Sequence, residues 1–402
     1  MQNKFLKKTI SIACTAGIIM SAFAGMAFSA SAAEKIQMGD ITSDGVIDIL
    51  DVVSARSHIV GNKLLEDSAK TLGDVNYDGI LNISDVVKIR YAVVTPEYTY
   101  EEWGNGSVII TSYNRFEKEI EIPETIDGFK VEDVFLEAFY NSPWFEAQPD
   151  GVICLNDVCL GYKGEMPENA EITIPDGTKR ISLGAFMDEE NIKKVNLPDS
   201  LVDMGDMTFA ACVNLETINI PSSITEIKTA TFMECSSLKN IVIPNSVTKI
   251  GIAAFGYCES LDTFTIPSSV TEIGLSAFDR TAWYYNQTDA ILYKDGWLLT
   301  FKDTSEPFYD MASFQVKDGT KGIVTGLIQV IRSVDVVVPV TIPASVIYIN
   351  DIDFENGNIV EMLLGMLLED LDYNPDFVLY GTAGSAAETY AKERGIKFSA
   401  IA

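Results

Sequence analysis

The chain has 402 residues, 58 acidic side chains against 29 basic ones, a formal charge of −29 and a single histidine, His58. That surplus of negative charge, with no Lys/Arg cluster, argues against nucleic-acid binding and against attraction to anionic membranes. One histidine argues against chemistry that needs a His triad or several His ligands, and the length allows more than one domain with a sizeable core.

Residues 1–33 carry the marks of a secretory signal peptide. Lys4, Lys7 and Lys8 form a basic start, residues 9–28 are largely apolar, and Ala30-Ser31-Ala32 and Ser31-Ala32-Ala33 are small-residue cleavage sites. The expectation is a secreted, extracellular protein. No later segment has the length of a membrane span, so no membrane insertion is expected. Loss of Cys14 leaves five cysteines, an odd number that argues against a fully paired disulfide framework.

Residues 38–95 form a short Asp-rich module containing the same pattern twice. "GDITSDGVIDILDVVSARSHIV" (39–60) superposes on "GDVNYDGILNISDVVKIRYAVV" (73–94) at a constant offset of 34. Each copy fits positions 1, 3, 5, 9 and 12 of an EF-hand loop, with the turn glycine, Gly45 or Gly79, at position 6. Calcium is a hard cation that takes six to eight oxygens, and alternate residues of a tight loop aim oxygens inward. Two Ca2+ ions are therefore expected. One would be held by Asp40, Thr42, Asp44, Asp48 and Asp51 with the Val46 carbonyl, the other by Asp74, Asn76, Asp78, Asn82 and Asp85 with the Ile80 carbonyl. Thr42 is a poorer ligand than Asn76, so the first site should be the weaker. After each loop an apolar helix is expected, where Val52, Val53, Ile59 and Val60 match Val86, Val87, Val93 and Val94.

This duplicate resembles a type I dockerin, a module of two GDxNxDGxxxxxD loop–helix segments that lacks the entering helix of a full EF-hand. The resemblance covers residues 39–94. It implies binding to a cohesin module of a scaffoldin, and so attachment to a cellulosome at the cell surface. It also implies that the cohesin contacts come from loop positions 10 and 11 and the helix that follows. Those positions are Ile49, Leu50, Arg56 and Ser57 in one copy and Ile83, Ser84, Arg90 and Tyr91 in the other. The two sets are only partly alike.

Residues 96–103, which follow Thr95 and open on Pro96-Glu97, read as a linker, and 104–402 as a repeat domain. Pro175, Pro198, Pro221, Pro244 and Pro267 are 23 residues apart, as are Phe186, Phe209, Phe232, Phe255 and Phe278, and Cys212, Cys235 and Cys258. A fixed period over five copies means a solenoid whose stacked repeats share one core. The Phe ladder is expected inside it, and the Cys ladder as a row of small buried residues rather than a metal site. Polar ladders run along the strands, Lys194, Thr217, Asn240 and Thr263 beside Asn196, Asn219, Val242 and Thr265.

Two similar inserts, 138–163 and 277–302, read as β-hairpins turning at Asn156-Asp157 and Asp295-Gly296. Trp144 and Trp283 match between them and are assigned to packing. Cys154 and Cys159 flank the first turn, so a disulfide is allowed there, but Tyr293 and Leu298 at the same places show that the fold does not require one. Residues 359–371 read as an apolar-rich helix. Residues 384–395 read as a second, with a capping box at Ser385 and Glu388 and Gly395 as its stop. Both are expected to cap the solenoid.

"IPNSVTKIGIAAFGYCESL" (243–261) and the final "YGTAGSAAETYAKERGIKF" make the domain resemble bacterial leucine-rich repeats of the BspA-like type, over nearly all of 119–398 with drift at 323–377. The fold expected is mixed α/β: a small all-α dockerin, then a leucine-rich-repeat solenoid with two hairpin inserts and a helical C-terminal cap. The function expected is a noncatalytic cellulosome component whose repeats display a face for an unknown protein or surface ligand. The alternatives are an enzyme or accessory protein of cellulose or xylan degradation, and an adhesin or protease-inhibitor-like binding protein. No catalytic residue is assigned, because 58 acidic residues make candidate carboxylate pairs trivial to find.

Overall fold

In a computed structural model of the chain, the described residues are 37–103, 106–301, 313–324, 339–350 and 377–401. The expected signal peptide and the expected helix at 359–371 lie outside them. Among the described residues no helix is long and apolar enough to cross a membrane.

The N-terminal module holds three helices, α1 (Ile49–Ile59), α2 (Asp67–Gly73) and α3 (Ile83–Val94). Apolar side chains at helical spacing point α1 and α3 at one another: Val52 and Ala55 meet Val86, Ile89 and Ala92, with Ile41 and Val75 closing the ends. The short α2 was not expected. It ends on Gly73, where a Cβ would come within 2.9 Å of the Ile41 side chain and press on it.

The expected linker contains strand. β1 (Tyr98–Trp103) pairs antiparallel with β2 (Ser107–Tyr113), and β2 pairs in parallel with β4 (Phe129–Val134), which carries β3 (Thr125–Ile126) on its other edge. This sheet covers the first end of the repeat stack through a core of Val108, Ile110, Val134, Phe139 and Trp144.

The first hairpin, β5 (Gly151–Leu155) and β6 (Val158–Lys163), is part of the stack rather than an interruption of it. β6 pairs in parallel with β8 (Arg180–Ile181), while β7 (Ala170–Thr173) starts a second sheet face. The second hairpin, Ile291–Lys294 with Trp297–Phe301, joins the stack likewise through Gly322–Ile323 and then Tyr348–Ile349. The two tryptophans sit on short helices, α4 (Pro143–Ala147) and α5 (Ala282–Asn286), and pack edge-on against Phe139 at 5.2 Å and Phe264 at 5.5 Å.

Between the hairpins each residue type of the repeat has a job. Every repeat proline accepts the N–H three residues on, making a turn, as in Leu201 to Pro198 and Val247 to Pro244, both 3.1 Å. The serine that follows donates back to the previous rung, Ser246 to Ile224 at 2.7 Å and Ser269 to Val247 at 2.8 Å. The phenylalanines stack face to face at 5.3–5.8 Å with their planes within 13°. Cys212, Cys235 and Cys258 are buried, and each S–H donates to the carbonyl of Phe186, Phe209 or Phe232 at 3.0–3.2 Å.

Rungs stack so closely that a Cβ on Gly251 or Gly274 would sit 2.5 or 2.3 Å from the backbone of the rung before. At the equivalent place, 23 residues before Gly251, stands Lys228. There the sheet splits. Asp203–Met204 is the last strand of one sheet and Glu226–Ile227 the first of the next. The Lys228 side chain turns back onto Asp203 at 2.7 Å instead.

The C-terminal end differs from the helical cap expected. Helix α6 (Ala386–Glu393) lies in a strand–helix–strand unit, with Val378–Gly381 pairing in parallel to Val340–Ile342 on one side and Lys397–Ala400 on the other. Ser385 is the N-cap residue, but its hydroxyl makes no capping bond; Glu388 accepts the Gly384 N–H at 2.6 Å, and Gly395 has φ +62°.

Two measurements check this account. Phe232→Ala, in the middle of the stack, should cost about 3–5 kcal/mol of stability in chemical denaturation, whereas Val242→Thr on the exposed face should stay within about 0.5 kcal/mol. Lys228→Gly should let the two sheets join, read as slower amide exchange over 226–228.

Candidate metal loops and the exposed helix face

The two Asp-rich loops have matching backbones. Position 4 is left-handed in both, Ser43 and Tyr77 at φ +57°, and position 6 is Gly45 at +87° and Gly79 at +83°. Those turns wrap N–H groups around the first aspartate. Asp40 accepts from Asp44 and Gly45 at 3.1 and 2.9 Å, and Asp74 from Asp78 and Gly79 at 3.1 and 2.8 Å.

Positions 9 and 12 have a second role that the loop pattern alone did not reveal. Asp48 is the N-cap of α1 and Asp51 its N3 residue, and each side chain accepts from the other's end of the turn, forming a capping box. Asn82 and Asp85 do the same for α3. The last ligand candidate of each loop is thus held against the first turn of its helix.

Asp51 and Asp85 are fully buried. Burial lifts both carboxyls above the usual carboxylate range; Asp40 adds to this at Asp51, and Asp74 and Asp78 add at Asp85, against the lowering effect of backbone N–H groups. The loops differ in one respect. Both Asp51 oxygens accept a hydrogen bond, from Thr42 N–H at 2.9 Å and Asp48 N–H at 2.7 Å. At Asp85 only the Oδ2 bond, from Asn82 N–H at 2.8 Å, is short; the Asn76 N–H, the counterpart of Thr42, acts on the carboxyl from farther away.

Among the described residues no three Asp, Glu, His or Cys groups are already gathered at metal-binding distance. An ion would have to draw the loop oxygens inward. The donor set is nevertheless all oxygen, which suits a hard cation and not zinc or copper.

The helices after the loops are two-faced. Val52, Ala55, Val86 and Ile89 face the core, whereas Ile49, Leu50, Ile83 and Tyr91 are 54–63 % exposed. Ser84, Arg56 and Arg90 are exposed and Ser57 is half-buried. All eight residues implied as partner contacts therefore lie at the surface, and exposed Val53 and Val87 extend the two apolar faces.

Sequence reasoning missed how the second loop is braced. The Tyr77 hydroxyl donates to the Phe116 carbonyl at 2.7 Å, Lys118 lies 3.9 Å from the Tyr77 ring centroid, and the Phe116 ring completes the helical module's core. The Arg115 guanidinium donates to the Thr95 carbonyl at 3.3 Å. No local signal marks these contacts, because they join residues 39 apart in the chain.

In the repeats the polar ladders are partly spent on structure. Asn219 exchanges two hydrogen bonds with the Leu197 backbone at 2.9 and 3.0 Å, and Asn196 donates to Thr173 at 3.1 Å. A cleft of about 60 Å³ lies at the sheet break, lined in part by Asp133, Arg180, Asp206 and Lys228. Two of its carboxylates are committed to the backbone, Asp133 accepting from Val134 and Leu183 and Asp206 from Thr229, while Glu132 pairs with Lys130 at 2.8 Å.

Residues 165–283 match the BspA type leucine rich repeat region, in six copies. No curated protein matches the chain. Among solved structures, a leucine rich repeat protein of T. pallidum (TpLRR) is 21 % identical, covering 77 % of this chain and 99 % of that one, with a TM-score of 0.27. A leucine rich cell surface protein from Faecalibacterium prausnitzii is 20 % identical over 64 % of this chain and 71 % of that one, with a TM-score of 0.28. The pneumococcal vaccine antigen PcpA is 15 % identical over 68 % and 54 %, with a TM-score of 0.31. Scores this low carry no argument about function, so the leucine-rich-repeat assignment rests on the family match and on the observed stacking.

Tyr77→Phe, which removes only the bridging hydroxyl, should cost about 1 kcal/mol and speed amide exchange in residues 74–79, with the matching first-loop segment 40–45 unchanged.

Proposed function

We propose that this chain is a noncatalytic secreted binding protein with two working parts. The paired loops hold two Ca2+ ions and form a dockerin that plugs into a cohesin module of a scaffoldin, bringing the protein to a cellulosome at the cell surface. The leucine-rich repeats then present a face to a protein or surface ligand.

The observation that carries the docking half is the outward apolar face of α1 and α3. A chain of net charge −29 has ample polar surface to cover a small module, yet Ile49, Leu50, Ile83 and Tyr91 stand in solvent beside Arg56 and Arg90. Burying such side chains against a partner gains about 1.5–3 kcal/mol each. An apolar centre with arginines on its margin is the composition of a protein interface. Calcium is supported by the oxygen-only donor set and the two glycine turns.

For the repeats, the BspA-type match supports a binding role. The polysaccharide-degrading alternative has less support. Beside the cleft at the sheet break, Asp133 and Asp206 are engaged by backbone N–H groups and Glu132 by Lys130.

Calorimetric titration with Ca2+ should show two events, and Asp74→Ala with Asp78→Ala should weaken binding more than Asp40→Ala with Asp44→Ala. Equal losses would mean that Thr42 is no handicap, and no heat above buffer would remove calcium from the reading.

For docking, the calcium-loaded chain is passed over a panel of immobilised cohesins. Capture by at least one, lost with EGTA and reduced at least tenfold by Ile83→Asp with Tyr91→Ala, is the expected outcome. Those side chains are exposed, so thermal stability should hold. Capture by none, with calcium bound, would end the docking claim. Release of reducing sugar from xylan or cellulose by the purified protein would end the noncatalytic one.

A further inference from the structure

The five cysteines among the described residues fall into two chemical groups. Cys212, Cys235 and Cys258 are sealed in the repeat core, each S–H spent on a phenylalanine carbonyl. Cys154 and Cys159 are different. They are register partners across β5 and β6, one residue out from the pair that flanks the Asn156-Asp157 turn.

The neighbouring strand shows which kind of pair this is. Ser182 N–H donates to the Cys159 carbonyl at 2.9 Å, from the β8 side. A strand residue's N–H and C=O point to the same edge, so Cys159 faces β8 with its backbone and makes no ladder bond to Cys154. In such non-hydrogen-bonded antiparallel pairs the Cα atoms approach to about 4.5 Å and the side chains are closest. Disulfides close at Cα separations of roughly 4.4–6.8 Å.

The side chains share one face of the hairpin. Cys159 belongs to the repeat core and Cys154 packs against it, while Ile153, Leu155 and Leu160 turn the other way into the N-terminal core. Cys159 is fully buried and Cys154 only partly so, its sulfur 4.0 Å from Thr178 Oγ1. The influence of Cys159 holds the Cys154 thiol below the usual range, while Cys154 and burial push the Cys159 thiol well above it.

We propose that Cys154 and Cys159 are a redox pair, with Cys154 the solvent-reached entry sulfur and Cys159 the resolving one, which closes to a cross-strand disulfide under oxidising conditions. The oxidant is a disulfide of the thiol-exchange class. The Cys154 thiolate attacks one of its sulfurs, expelling a thiolate and leaving a mixed disulfide on Cys154. Cys159, losing its proton, then attacks the Cys154 sulfur, expelling the second thiolate. One S–S bond forms in the protein and one breaks in the oxidant. The two protein thiols give up two electrons and two protons, and the oxidant leaves as two thiols. The closed pair would lock β5 to β6, the strand that pairs with the first rung at β8.

The test treats the full chain, natively folded, with oxidised glutathione, then alkylates it in denaturant and maps tryptic peptides. Cys154 and Cys159 share the peptide 131–163, while Cys212, Cys235 and Cys258 lie on other peptides. The expected result is peptide 131–163 unalkylated and about two hydrogens lighter than its reduced form, with the other three cysteines alkylated. In Cys159→Ser a glutathione adduct should persist on Cys154. Both cysteines of 131–163 alkylated after oxidation would overturn the pair. Adducts forming on Cys159 but not on Cys154 would overturn the assigned order of attack.

Discussion

Everything in the repeat domain depends on one register. A rung of 23 residues cannot bury its own apolar side, so each must lie directly on the next, and the phenylalanines meet face to face at 5.3–5.8 Å as a result. The same closeness brings backbone to within 2.5 Å of a Cβ position on Gly251 and Gly274. Where Lys228 stands in that line, the ladder opens and an ion pair to Asp203 takes its place. The stack is therefore continuous in its core even where it is broken in its sheet.

A stack has two ends, and each exposes a rung that water would otherwise cover. A mixed four-stranded sheet closes the first end and a strand–helix–strand unit closes the last. The helical module is fixed to the first closing sheet. Phe116 gives that module part of its core, and Tyr77, inside the second loop, is hydrogen-bonded to the same residue. The second acidic loop thus makes direct contacts with the segment that follows β2.

Legibility followed distance along the chain. The loop spacing, its glycines and the 34-residue duplication were readable because an EF-hand-like loop is built from twelve consecutive residues. The Phe and Cys ladders were readable because a solenoid repeats its contacts at a fixed step. The hairpins were readable from their turn pairs, Asn156 at φ +57° and Asp295-Gly296 at +49° and +83°. The cap of α6 was read only in part: Glu388 reached past Ser385 to the Gly384 N–H, a choice that depends on the packed neighbourhood and not on the four-residue pattern. The strand at 98–103 was missed because an edge strand with half-exposed Tyr98, Thr99 and Tyr100 carries little apolar signal of its own.

The sequence by itself determined the period, the residues of the core ladder, the paired oxygen-rich loops and the hairpin turns, since each of these is set by neighbours along the chain. Only the tertiary structure decided what joins them. It placed Phe116 under the helices, buried Asp51 and Asp85 at the helix starts, spent Asn219 on the Leu197 backbone and set Cys159 with its backbone toward β8 and its side chain on the same face as Cys154. Burial and hydrogen-bond partnership are properties of the folded neighbourhood. A residue's chemistry becomes specific only when the chain has closed around it.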